Sequence, residues 1–188
     1  MFTVEGFVEE CRAALKDTMP EAAVRDVVAR WMARPDQIAR VFGTPAEGGI
    51  TTLGHFDDLT VLHVVWPPGM TIHPHDHRLW AVIGLYGGRE DNVFYRRTPG
   101  GLERASGRQL EPGDATLLGK SIIHSVSNPL RQFTGAIHVY GGDFFTVARS
   151  EWDAQTLEER PYNVENTRRA FRDAQERWLA DSRGLARG

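Results

Sequence analysis

Between residues 50 and 147 the chain is cut into short runs rich in Val, Ile, Thr and aromatic residues, separated by Gly and Pro. This punctuation is what most restricts the fold, because β-branched and aromatic residues suit a pleated strand while Gly and Pro end one. LTVLHVVW, WAVIGLYGG, DNVFYRR, DATLLGK, IIHSVSN and GAIHVYGG read as strands. Pro67-Pro68-Gly69, Pro99-Gly100-Gly101 and Pro112-Gly113-Asp114 read as turns. Many short strands at close spacing predict an antiparallel sandwich or barrel.

The flanks carry a different period. Phe7, Val8, Cys11, Ala14 and Leu15 recur at helical spacing, as do Val24, Val27, Val28, Trp31 and Met32, with Pro20 placed to open the second helix. Residues 163–182 read as a further helix, in which Ala170, Phe171, Ala174 and Trp178 form an apolar stripe opposite a solvated Arg/Glu face. The expected organisation is one domain over 1–188: a helical flank over 1–45, a β-barrel core over about 50–147, and a helical flank over 150–188. A chain of 188 residues suits one core with a helical extension.

Charge and cysteine content exclude several classes. A net charge of -3 and a pI near 6.2 leave no basic footprint for a nucleic-acid partner. No stretch approaches the roughly 20 apolar residues of a membrane helix. The start, MFTVEGFVEE, lacks the layout of a signal peptide, so a cytoplasmic location is expected. Cys11 is the single cysteine, which excludes an internal disulfide and a Cys-based zinc site. On an apolar helix face it reads as a small buried hydrophobe.

All seven histidines fall in the β block: His55, His63, His73, His75, His77, His124 and His138. In Thr71-Ile-His-Pro-His-Asp-His77, alternation along a strand places His73, His75 and His77 on one face. Two imidazoles at i and i+2 can reach one metal ion, and a third must come from a distant strand, with His124 and His138 as candidates. His63, amid Leu62, Val64 and Val65, reads as a hydrogen-bonded strand residue, and His55 in its Gly-His-Phe-Asp turn as exposed.

The spacing is more specific than the count. Gly69, five residues, His75, one residue and His77 resemble the first motif of the cupin superfamily; Gly113, Gly119, Ser121, His124 and Asn128 resemble the second. The resemblance covers roughly residues 58 to 147. It implies a mainly β cupin, a double-stranded β-helix or jelly roll, with N-terminal helices and a C-terminal helix. It also implies a metal site of His75, His77 and His124, with His73 in a supporting or surface role. The Glu ligand usual after the second His is absent, since Ala81 and Val82 stand there. Imidazole alone suits Fe, Zn, Cu and Ni.

A narrower resemblance selects among these. His75-Asp-His77 followed by Trp80, then His124, then Ile137-His138-Val139-Tyr140, is similar to the bacterial thiol dioxygenases related to cysteine dioxygenase. That likeness implies one Fe(2+) per chain and oxidation of a small thiol by O2 to its sulfinate. His138 and Tyr140 match the last two members of the family's Ser-x-His-x-Tyr relay, with Ala136 where the Ser would be. Tyr140 would donate a hydrogen bond to substrate or oxygen.

No Arg stands at Gly48-Gly49-Ile50, where cysteine dioxygenases place their carboxylate anchor. Arg149, nine residues past Tyr140, fits the anchor of the 3-mercaptopropionate-type members instead. Trp80 would be a pocket wall or a core residue. The substrate implied is a carboxylate-bearing thiol such as 3-mercaptopropionate, mercaptosuccinate or a cysteine-like compound. For a dicarboxylate, Arg78, Arg96 or Arg97 could add a second cation. The competing readings are a metal-dependent cupin of another reaction (isomerase, lyase or C–C cleaving dioxygenase) and a non-enzymatic ligand-binding cupin. Oligomeric state is not readable from the sequence.

Overall fold

Two antiparallel sheets face one another in the computed structural model of the chain, which describes residues 1–185. The strands are β1 (Gly49–His55), β2 (Thr60–Trp66), β3 (Thr71–Asp76), β4 (Ala81–Gly87), β5 (Glu90–Thr98), β6 (Gly101–Leu110), β7 (Ala115–Leu118), β8 (Ile123–Ser127), β9 (Thr134–Tyr140), β10 (Ser150–Trp152) and β11 (Glu159–Pro161). One sheet runs β1-β2-β9-β4-β7 and the other β11-β10-β3-β8-β5-β6. The chain crosses between sheets from β2 to β3, β3 to β4, β4 to β5 and again from β6 to β9 in reverse, which is the jelly-roll path. The expected β class and jelly-roll topology are what the strands adopt.

Helices α1 (Val4–Ala14), α2 (Pro20–Met32) and α3 (Pro35–Phe42) precede the barrel. Thr3 caps α1 through its hydroxyl, which accepts from the Gly6 amide at 3.1 Å. Pro20 and Pro35 open α2 and α3, where the missing N–H costs nothing. Their apolar faces, with Phe7, Cys11, Val28, Met32 and Ile38, pack on the outer face of the first sheet against Val61, Val82, Ile137 and Val139. Cys11 is buried there, and burial pushes its thiol up to about 12, so it stays a protonated hydrophobe.

A second cluster fills the barrel. Leu62, Val64, Ala81, Ile83, Leu85, Ala136 and Tyr140 of the first sheet meet Ile72 and Val126 of the second. Helix α4 (Val164–Leu185) adds Phe171 and Ala174 to this interior, with Phe171 stacked on Trp66 at 5.5 Å between ring centroids. The long C-terminal helix thus closes one mouth of the barrel.

The C-terminal flank departs from expectation. Residues 150–161, expected to be helical, form the hairpin β10–β11, and β10 extends the second sheet through a Glu151–His75 pair. The hairpin is held by buried Glu151, which accepts from Asn163 N at 3.1 Å and His73 Nε2 at 3.0 Å and takes Asn166 Nδ2 as well. Residues 186–188 of the expected flank lie outside the described residues. Among the described residues no helix is long and apolar enough to cross a membrane.

Candidate functional site

The pair His75 and His77, at and just past the end of β3, reaches the interior because of a bulge. Ile72 pairs with Val126 and His75 with His124, so three steps on β3 oppose two on β8. The extra residue reverses the alternation, and Ile72 and His75 both line the barrel cavity although an odd number of positions separates them. Pro74, with no N–H for the ladder, sits within this irregular step. The one-face expectation for His73, His75 and His77 is corrected accordingly: His73 turns to Glu151, while His75 and His77 turn inward. Gly69 and Gly113, the turn glycines of the two motifs, have φ of 66° and 103°, a region that penalises any side chain with a Cβ. Asn128 is a clamp, its amide donating to the carbonyls of Trp66 at 3.0 Å and Gln132 at 2.8 Å.

His75, His77 and His124 converge. His77 Nε2 lies 3.2 Å from His75 Nε2 and 3.2 Å from His124 Nε2, and one ligand atom from each of the three falls within 4.8 Å of the others. Nitrogens about 2.1 Å from a common ion at tetrahedral or right angles would be separated by roughly 3.0–3.4 Å. The donor set therefore fits a divalent metal. Outer contacts set the tautomers: His75 Nδ1 faces the His73 carbonyl at 3.0 Å and His124 Nδ1 faces Asn92 Oδ1 at 2.7 Å. With protons on both Nδ1 atoms, the Nε2 lone pairs point at the centre.

Burial also disfavours the charged rings. His75 is lowered to about 4, chiefly by desolvation; His77 and His124 fall well below the ordinary range through burial first, and then through His124 and His75 in the one case and His75 and His138 in the other. These are neutral imidazoles near pH 7, the form that binds metal.

Across a cavity of about 50 Å³ stand His138 and Tyr140, on the inner face of β9. His138 Nδ1 and the Tyr140 hydroxyl are 3.1 Å apart, and the Tyr140 ring meets that of His77 edge to face at 5.1 Å. Burial pushes the Tyr140 phenol well above its ordinary range, against the opposing pull of the Arg149 charge. Ala136 lies two residues before His138 on the same strand face, fully buried and without a polar group.

Arg149 does not line this cavity. It lines an adjoining one of about 370 Å³ that shares Ile50, Leu62, Phe144, Tyr162 and Thr167 with the first. Its guanidinium carbon lies 4.0 Å from the ring centroids of both Phe144 and Tyr162, and Nη1 donates to the Phe144 carbonyl. Arg168 and Arg172 line the same outer cavity. Arg78, Arg96 and Arg97 line neither, being paired with Asp76, Glu103 and Glu159.

Trp80 also stands away from the histidines. It is 8% exposed and belongs to the outer cluster under the helices. The reason is parity: Ala81, Ile83 and Leu85 of β4 face inward, so Trp80 and Val82 face out. His63 likewise faces out, bonded to the Tyr86 hydroxyl at 2.7 Å and stacked on Phe42, while His55 is half-exposed beside Asp143.

Two residues at this site carry no signal in the sequence motifs. Asn92, as described, orients His124. Glu90, wholly buried, accepts from Asn92 Nδ2 and Trp66 Nε1, each at 2.9 Å. Alternation along Glu90-Asp91-Asn92 places 90 and 92 on one face, but only the register of β5 on β8 reveals that this face is the inner one.

No family model matches the chain. Solved structures align with it over about half of its length, some of them described as cupin proteins. An RmlC-like cupin with a double-stranded β-helix from Methanocaldococcus jannaschii aligns with a TM-score of 0.46 at 11% identity, over 54% of this chain and 85% of that one. KdgF from Halomonas sp. aligns with a TM-score of 0.42 at 20% identity, over 50% and 76%. A variant of the oxalate decarboxylase of Bacillus subtilis aligns with a TM-score of 0.44 at 14% identity, over 55% and 28%.

Proposed function

We propose that this chain is a mononuclear non-haem Fe(II) dioxygenase that adds both atoms of O2 to the sulfur of a small carboxylate-bearing thiol, giving a sulfinate. The observation that carries the reading is the pairing, across one small cavity, of three convergent neutral imidazoles with a buried His–Tyr couple. His75, His77 and His124 would hold the iron, which when bound offers places for sulfur and oxygen and favours the thiolate. All three ligands are neutral, so the ion's charge would not be offset by its ligands.

The remaining steps belong to the chain's own residues. The cavity of about 50 Å³ is small, and Ile72, Val126, Leu62 and Val64 give it apolar walls. Tyr140 presents the one hydroxyl that faces the histidines from the opposite sheet, and His138 fixes its position. The rest of the substrate would extend into the outer cavity, where Arg149 is held rigid between two aromatic rings. A carboxylate there would meet a guanidinium that has already lost its side-chain freedom, so little further ordering is needed.

The test is oxygen uptake by Fe(II)-loaded protein against 3-mercaptopropionate, mercaptosuccinate, cysteine, cysteamine and an uncharged thiol, with mass detection of products. Sulfinate in one-to-one ratio with O2, formed from the carboxylate-bearing thiols only, is the expected result. Turnover of cysteamine would keep the reaction and remove Arg149 as anchor. Absence of uptake with iron bound would overturn the thiol reading in favour of another metal-dependent cupin reaction.

A further inference from the structure

Ala136 removes the hydroxyl that a Ser-x-His-x-Tyr relay would place behind His138, yet the buried ring of His138 still needs an outer partner. Its Nε2 makes no hydrogen bond and is cut off from solvent. A buried imidazole nitrogen with nothing to bond costs free energy comparable to a lost hydrogen bond, so such a group calls for a cause. The carboxylate of Glu90 stands beside it, with Oε2 3.7 Å from that nitrogen. Glu90 is wholly buried and comes from β5 of the opposite sheet. It is fixed from two further directions by Trp66 Nε1 and Asn92 Nδ2. Both of these are donors, so the carboxylate is held as an acceptor, with lone pairs left over for a third.

We infer that Glu90 is a positioning residue that takes the place of the missing hydroxyl: it draws the proton of His138 to Nε2 and so fixes which way the Tyr140 hydroxyl points. The argument is one of donors and acceptors. A carboxylate beside Nε2 favours the ring form with hydrogen on that nitrogen. Nδ1 then carries the lone pair, and across 3.1 Å it accepts from the Tyr140 O–H. The Tyr140 oxygen is left with its lone pairs toward the cavity. Tyr140 therefore meets the incoming thiol, before it gives up its proton, as an acceptor of the S–H, the reverse of the donor role that the family resemblance implies. The layout Tyr140–His138–Glu90 has the logic of a hydroxyl, imidazole and carboxylate triad, in which the carboxylate acts by holding the ring in one tautomer.

The same carboxylate is tied to the histidine cluster. Glu90 Oε1 receives Asn92 Nδ2, and Asn92 Oδ1 receives His124 Nδ1. One buried acid thus orients groups on both sides of the cavity, the relay directly and His124 through Asn92.

The tautomer part of this inference stands without the proposed reaction; its kinetic part rests on it. The test pairs a measurement of each kind on the full-length chain. Long-range proton–nitrogen correlation NMR on the zinc-loaded, 15N-labelled protein reads the tautomer of His138 directly. The expected result is hydrogen on Nε2 in the wild type and a mixture of both tautomers in Glu90→Gln. With iron loaded, Glu90→Gln should lower kcat for thiol oxidation about 10–100-fold, the usual size for an outer hydrogen-bonding partner. KM should change less than about threefold, bound metal measured in excess Fe(II) should fall far less than kcat does, and Glu90→Asp should recover part of the loss. Hydrogen on Nδ1 in the wild type would overturn the inference even if no variant folds. So would a tautomer unchanged by Glu90→Gln, or a loss of activity matched by an equal loss of metal. If the wild type oxidises no thiol, the reaction proposal fails while the tautomer result still decides the role of Glu90.

Discussion

The inner strands β2, β9 and β4 of the sheet β1-β2-β9-β4-β7 are covered on both faces, by the three N-terminal helices outside and by the barrel contents within, so every residue of β2 and β9 is buried. The sheet β11-β10-β3-β8-β5-β6 has a barrel face and a solvated face, and β6 is exposed at eight of its ten positions. The two sheets also bring different chemistry. The second provides His75, His77 and His124, and with Asn92 and Glu90 most of what orients them. The first provides His138 and Tyr140 from a strand buried throughout. A metal site made from a bulged strand beside solvent can adjust to an ion, while a relay mounted on a doubly covered strand cannot move. The site joins an adaptable half to a rigid one.

Removing one group from each half gives the sharpest test of that division. His124→Ala should lose bound iron, measured by elemental analysis, from near one per chain to about a tenth or less, and with it all measurable turnover, a fall of about 10³-fold or more. Tyr140→Phe should keep the iron and lose about 10²-fold in kcat, the usual scale of a single proton-handling group. Loss of iron in both variants would show that the halves are not separable.

How much of this was legible in the sequence follows the same line. The motif histidines were readable because spacing in a short strand fixes reach, and His75, His77 and His124 do converge. The bulge was not, since nothing local in Ile72-His-Pro-His75 says that one ladder step is skipped; only pairing with β8 does. Of the two places open to Trp80, pocket wall and core, it takes the core, and the sequence does not choose between them because WAVIGLYGG lies between two apolar layers and so has no polar residue to mark its outer face. Strand β6, GLERASGRQL, lies so far outside the core that its pattern is mostly polar and reads as loop. The hairpin at 150–161 is two three-residue strands, too short for any period, and rests on Glu151, which meets His73 far upstream as well as Arg160, Asn163 and Asn166. Glu90 and Asn92 were hidden for a related reason: a polar residue at an inner position has meaning only after the register is known.

The same contrast predicts stability. Ile137 is fully buried on β9 under the helices, whereas Arg104 lies on the solvated face of β6. Ile137→Ala removes methyl groups from a site covered on both sides and should destabilise by about 2–5 kcal/mol in urea unfolding. Arg104→Ala should stay within about 0.5 kcal/mol. Comparable costs would mean that the first sheet relaxes into the space left behind, and that its rigidity is overstated.

A smaller effect should appear with pH, and it isolates the first sheet from the metal site. His63, on the outer face of β2, is lowered to about 4, mainly by burial and secondarily by the charge of His138. Between the ordinary pKa of 6.5 and about 4 the unfolded chain binds a proton here that the folded chain refuses, so stability is full above that window and declines as the pH falls through it. At about 1.4 kcal/mol per pH unit the decline attributable to this one ring is bounded at roughly 3 kcal/mol. His75, His77 and His124 add to any acid loss in metal-free protein, so the difference between variants is the informative quantity. His63→Gln keeps an acceptor for the Tyr86 hydroxyl and cannot titrate. Its stability should therefore fall by about 1–3 kcal/mol less than the wild type between pH 7 and pH 4.5. Parallel declines in the two proteins would place the acid sensitivity wholly in the barrel interior, and would mean that the helices leave His63 open enough to water for its charge to be tolerated.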